Sequence, residues 1–139
     1  MELRNRVKSA VKNLNSAAKE AGVQNYGLFH DAGYRGLYGL GLKDIKMRKA
    51  IADKDGLFDR ASRAELAANE FRITQAEEKL RRERVTGERP ATDAHFTVGQ
   101  EVRTAIRRIG GTMPEDLPAE ESTLQLHKFC CVVAEKGVD

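Results

Sequence analysis

In several stretches of this chain apolar side chains recur three and four residues apart, and nowhere does a run of β-branched residues alternate with polar ones. The first pattern belongs to helices with one buried face, and the missing period-2 pattern is what a half-buried strand needs. An all-α fold follows, expected as a compact domain of four to six helices. At the N-terminus Leu3, Val7, Ala10, Leu14, Ala17 and Ala21 form one seam, with Arg6, Lys12, Asn13 and Lys19 on the solvated face opposite. Gly22 is placed to take the left-handed conformation that commonly closes a helix.

A second helix is expected over residues 63–84. It opens on Ser62-Arg63-Ala64-Glu65, a capping box in which serine and glutamate satisfy each other's free backbone donors. At 1.5 Å per residue it is about 30 Å long, with a stripe through Leu66, Ala67, Phe71, Ile73, Ala76 and Leu80. Its end carries the i,i+4 pairs Glu77/Arg81 and Glu78/Arg82 and is expected to project into solvent or against another chain, before Gly87 and Pro90 break it. Thr92 or Asp93 then caps a helix with Ala94, Val98, Val102, Ala105, Ile106 and Ile109 inward, Arg103, Arg107 and Arg108 outward, and Gly110 as its stop. Residues 119–136 read as a last helix, with Leu124, Leu126, Phe129, Val132 and Val133 as its apolar positions.

Between the first two helices, residues 23–42 hold Gly27, Gly33, Gly36, Gly39 and Gly41 among Tyr26, Phe29, Tyr34 and Tyr38. Glycine at this density is costly in regular elements, so the segment is expected to be irregular, with two or three aromatics packed beneath the first helix. Residues 43–52 follow as a short helix with Leu42, Ile45 and Ile51 inward and Lys43, Lys46, Arg48 and Lys49 outward, closed by the turn Asp53-Lys54-Asp55-Gly56.

Composition narrows the function. With 139 residues, 40% hydrophobic and 32% charged, the chain suits one soluble domain and neither a membrane protein nor a disordered one. Its two cysteines are neighbours, Cys130-Cys131, which excludes a spaced disulfide framework or a CxxC metal clasp and points to a reducing cytoplasm. The net charge of +3 hides a gradient: residues 1–60 carry +5, residues 61–110 carry +2 and residues 111–139 carry −4.

Catalytic chemistry finds little support. His30-Asp31 has the composition of an acid/base pair, but adjacent side chains rarely face each other and no nucleophile lies nearby. His95 and His127 have no second ligand at i+3 or i+4. The run Gly36-Leu37-Tyr38-Gly39-Leu40-Gly41 lacks the order and lysine of a nucleotide loop. Neither enzyme activity, cofactor, metal nor small-molecule substrate is therefore expected. The basic and aromatic set Tyr34, Arg35, Tyr38, Lys43, Lys46, Arg48 and Lys49 has the composition of a nucleic-acid contact surface, cations for phosphates and rings for bases, although an ordinary solvated helix face has the same look. A sequence pI of 8.9 decides neither way.

Three runs point to a family. They are residues 30–39 (His30-Asp31-Ala32-Gly33-Tyr34-Arg35-Gly36-Leu37-Tyr38-Gly39), residues 59–80 with Glu65-Leu66-Ala67-Ala68-Asn69-Glu70-Phe71-Arg72, and Ile109-Gly110-Gly111-Thr112-Met113-Pro114-Glu115-Asp116-Leu117-Pro118. Together they closely resemble the C-terminal portion of the DNA damage-inducible protein D family of bacteria and their mobile elements, over roughly residues 1–121. The resemblance implies a role in the SOS response, through DNA or a DNA-bound recombination protein, and brings neither a catalytic signature nor site residues. Family members have an N-terminal region related to phage antirepressor modules, whereas this chain starts with Met at the C-terminal part. The tail after Glu121 is unlike the charged family ending. A truncated or frameshifted member accounts for both, with residues 1–118 as the family-like domain and 119–139 as a divergent tail. The leading expectation is thus a non-enzymatic binding module of the DNA-damage response. The alternative is a protein-interaction or homodimerisation module pairing through its long helices, including an inhibitor of a host defence complex carried by a mobile element.

Overall fold

The computed structural model describes residues 2–121. Among them are five α-helices and no strand: α1 (Leu3–Ala21), α2 (Tyr26–Tyr38), α3 (Leu42–Lys49), α4 (Arg63–Arg82) and α5 (Glu88–Arg108), with single 3₁₀ turns at Leu57–Arg60 and Pro114–Asp116. Of the helix expected over residues 119–136, residues 119–121 are described and are not helical; the rest of it, with Cys130-Cys131 and His127, lies outside the described residues.

Helix α1 forms as its seam predicts. Val7, Leu14 and Ala18 are fully buried, and Gly22 closes the helix at φ 98°. The seam lies against α4 of the same chain, and with Phe29, Leu66, Ile73, Leu80 and Ala91 it makes the larger of two apolar clusters. Each fully buried Val, Leu, Ile or Phe side chain among them contributes about 1.5–3 kcal/mol. The smaller cluster gathers Leu37, Tyr38, Ile45, Ile51, Leu57 and Val102 from α2, α3, the first 3₁₀ turn and α5. The architecture is two helix pairs, α1 with α4 and α2 with α5, joined where α4 meets α5.

The glycine-rich segment is the main departure from expectation. Residues 26–38 are a regular helix capped by Asn25, whose side chain accepts from the Leu28 N–H at 3.0 Å. Glycine here serves close packing. A Cβ on Gly36 would stand 2.3 Å from the Phe96 carbonyl oxygen, and one on Gly99 2.9 Å from the Leu37 nitrogen. The α2 and α5 backbones therefore touch, an approach that side chains at these positions would prevent. The aromatics divide: Phe29 and Tyr26 pack with the α1 cluster, Tyr34 and Tyr38 with the other.

Other boundaries shift for local reasons. Arg84 and Gly87 take positive φ and end the α4 region. Pro90 lies inside the first turn of α5, where its missing N–H has no intrahelical partner to lose. The end of α4 does not project. Leu80 is buried, and Arg81 holds both Glu77 at 3.0 Å and Glu20 of α1 at 2.8 Å. On α5 the buried line is Ala91, His95, Gly99 and Val102, while Ile109 is 81% exposed.

Candidate interaction face and its buried polar support

The basic and aromatic set does not form one surface. Lys43 and Arg48 are exposed on α3, and Lys46 is half-buried with its ammonium on the Asp53 carbonyl at 3.2 Å. Arg35 donates to Asp31 of its own helix at 2.7 Å, and Arg48 pairs with Asp116. The Tyr34 ring carries the Arg72 guanidinium 5.1 Å from its centroid. Tyr38 is fully buried. Lys49, expected outward, turns in: its side chain is 2% exposed, and its ammonium lies 3.1 Å from Glu65 and donates to the carbonyls of Pro114 and Leu117. The face opposite Ile45 is therefore narrower than composition suggested, and two of its supposed contacts belong to the interior.

Lys49 begins a line of polar groups that crosses the protein. Tyr38 donates its hydroxyl to Glu65 at 2.5 Å and accepts from Asn69 Nδ2 at 2.8 Å. Arg72 donates through Nη2 to Asn69 Oδ1 at 2.9 Å and through Nη1 to His95 Nε2 at 2.5 Å. A guanidinium only donates, so Nε2 of His95 accepts and the ring proton sits on Nδ1, which donates to the Phe29 carbonyl at 2.9 Å. Four helices, α2, α3, α4 and α5, are thereby tied by one continuous set of bonds. Gly33 makes room for it, since a Cβ there would stand 2.3 Å from His95 Nε2.

Glu65 was expected to close a capping box with Ser62. Only half of that device forms: the Ser62 hydroxyl accepts from the Glu65 N–H at 3.4 Å, while the carboxylate turns inward to Lys49 and Tyr38. Burial pushes the Glu65 carboxyl up, against the opposing pull of Tyr38 and Lys49, and burial beside that carboxylate raises the Tyr38 hydroxyl well above its usual range. Burial, and then the Arg72 charge, push His95 well below the ordinary imidazole value and lower His30 to about 4. His30 is bonded to Asn15 at 2.5 Å and does not face Asp31 as a catalytic pair.

A second support lies at the end of α5. Arg103, assigned outward by the sequence, grips Glu115 with two bonds of 2.7 Å and donates to the Leu37 carbonyl at 3.1 Å. The loop after α5 is thus fastened to α5 through Arg103, to α3 through Arg48 and Lys49, and further on to Arg60, whose carbonyl accepts from the Glu120 N–H at 2.8 Å.

Sequence reasoning missed Asn69, Arg72 and His95. The signal was their register: 65, 69, 72 and 76 follow a four-three-four spacing beside the apolar stripe of α4, and His95 stands four residues from both Ala91 and Gly99. The three runs that carry the family resemblance supply Gly33, Tyr34 and Tyr38, then Glu65, Asn69 and Arg72, then the fastened loop. A family model described as DinD C-terminal domain matches residues 1–126. The chain belongs to the DinD C-terminal domain family. The family match runs five residues beyond Glu121, where the sequence runs alone place its end. DNA damage-inducible protein D of Escherichia coli (strain K12) is 41% identical over 138 residues, covering 96% of this chain and 50% of that protein. The chain therefore spans about half the length of this curated relative. No solved structure matches. Among the described residues no helix is long and apolar enough to cross a membrane, and no group of three or more His, Cys, Asp or Glu is arranged to hold a metal ion.

Proposed function

We propose that this chain is a non-enzymatic binding module of the bacterial DNA-damage response, and that it engages a recombination protein already on DNA rather than the DNA itself. The similarity to DNA damage-inducible protein D of E. coli supports the setting. The observation that carries the choice of partner is the use of cations within the chain: Arg35, Arg48 and Lys49 are committed to Asp31, Asp116 and Glu65. Phosphate binding draws its strength from cations that displace counterions, and these three would have to leave internal partners first. The binding reading over an enzymatic one rests on enclosure, since Glu65 and His95 are both fully buried.

Fluorescence anisotropy with labelled single- and double-stranded DNA, naked or coated with recombinase, tests the proposal at two salt concentrations. Binding to coated DNA with a shallow salt dependence is expected. Tight binding to naked DNA that falls steeply with salt and is lost on replacing Lys43, Lys46 and Arg48 by alanine would overturn it. Self-association is the weaker alternative, because the α1 seam and the charged end of α4 are both occupied within the chain; light scattering is expected to report a monomer.

A further inference from the structure

A cavity of about 470 Å³ opens between α1, α2 and α4. Its walls are largely apolar, with Val11, Tyr34, Leu42, Phe58 and Ile73, while Lys8 and Lys12 of α1 and the buried Arg72 also line it. Arg72 has an unusual charge environment. It is 1% exposed, yet the groups that accept from it are a neutral imidazole and a neutral amide, and no carboxylate among the described residues pairs with it. Its Nε–H is buried with no hydrogen-bond partner. Asp31 also lines the cavity, but its oxygens are taken by Arg35 Nε and the Leu42 N–H. Lys8 is paired with Asp59 at 3.1 Å, and Lys12 has no ion pair among the described residues.

A buried cation without a counter-ion is costly, and a buried N–H without an acceptor adds to that cost. An anion with an apolar body answers both. A doubly charged phosphate suits these walls poorly, because its extra charge would be stripped of water with nothing to replace it. We propose that the cavity binds an apolar carboxylate, with its carboxyl group directed at Arg72 Nε, its body against Phe58, Tyr34 and Ile73, and Lys12 attracting it at the mouth. Its size lies within the range of small-ligand sites. This goes beyond the role proposed above and holds whether that role is exercised on protein or on DNA.

The test is an NMR titration of the full chain with 3-phenylpropionate and its neutral amide, and with a short peptide ending in phenylalanine as free acid and as amide. The acids are expected to bind at least tenfold more tightly than the amides, the worth of one charge-assisted hydrogen bond, and to shift the amide signals of residues 27–34 and 72–73. Arg72 belongs to the internal polar line, so the blocking variant is Gly27→Leu: Gly27 lines the cavity, and a Cβ there meets only Asn25 Oδ1, at 3.5 Å. That variant is expected to stay folded and lose at least tenfold in acid affinity. Equal binding of acid and amide, binding unaffected by Gly27→Leu, or no binding by any of the four probes would each overturn the proposal. If the peptide acid binds more tightly, the occupant is the end of a partner chain; if the free acid does, it is a small organic acid, and either result supports the site.

Discussion

Replacing Gly36 by alanine is expected to force α2 and α5 apart, while the same change at Gly27, in the same helix, is expected to stabilise the protein. The added methyl at Gly36 would lie 2.3 Å from the Phe96 carbonyl oxygen and 3.0 Å from the Gly99 Cα and the Gln100 nitrogen. All three are backbone atoms, so no rotamer change relieves the contact and the helices themselves must separate. Overpacking typically costs about 1–3 kcal/mol, and a clash this short belongs at the upper end. The higher helix propensity of alanine returns about 1 kcal/mol, leaving a net loss of about 2 kcal/mol. With an unfolding entropy near 2.1 cal/mol/K per residue, a chain of 139 residues is expected to lose about 7 °C in Tm. At Gly27 only the propensity side of the balance remains, a gain of about 0.4–1 kcal/mol. Calorimetry and urea unfolding on the two variants and the parent measure both signs. A Gly36→Ala protein as stable as its parent would refute the argument that glycine is present in α2 to let the backbones meet.

Three further outcomes follow from the polar groups. Glu65→Gln is expected to cost about 3–5 kcal/mol in urea unfolding, because it leaves the Lys49 ammonium buried without its counter-charge. Stability is expected to decline as pH falls below about 6.5, since His30 and His95 hold lowered values in the folded protein and the unfolded chain takes up their protons first. For His30 the decline continues to about 4, and a His30→Asn protein is expected to show a shallower slope between pH 6.5 and 4 than the parent. Arg103→Ala is expected to cost roughly 1–2 kcal/mol by removing two partly buried charge-assisted bonds, with amide exchange accelerating in residues 111–117 while the α1 and α4 amides change little.

The helices were legible in the sequence wherever burial and apolarity coincide, as at Val7, Leu14, Ile73 and Leu80, because periodicity reports exactly that coincidence. They were obscured where the interior is built of other material. Gly33 and Gly36 read as breaks because a sequence shows the intrinsic cost of glycine but not the neighbouring helix that makes its lack of a side chain useful. His95 read as an isolated residue and Arg72 drew no role, since nothing in their types announces partners 23 residues apart in the chain. Phe71 gave the opposite error. It was placed in the α4 stripe by its type, yet it is 55% exposed, and the polar Asn69 and Arg72 beside it take the inward positions. The outward assignment of Lys49 failed for the same reason: its charge suggested water, while Glu65, 16 residues on, provides a buried partner that only the fold brings near.

The fastened loop after α5 has a practical consequence for shortening this chain. A cut at Gly110, where the last long helix stops, looks harmless on secondary structure alone. It would strip Lys49 of the Pro114 and Leu117 carbonyls and Arg103 of its carboxylate at one stroke, so that damage begun at the periphery would reach Glu65 and Tyr38 in the interior. Any shortened version intended to fold should keep the chain at least through Leu117, and preferably through Glu120, whose backbone still bonds to Arg60.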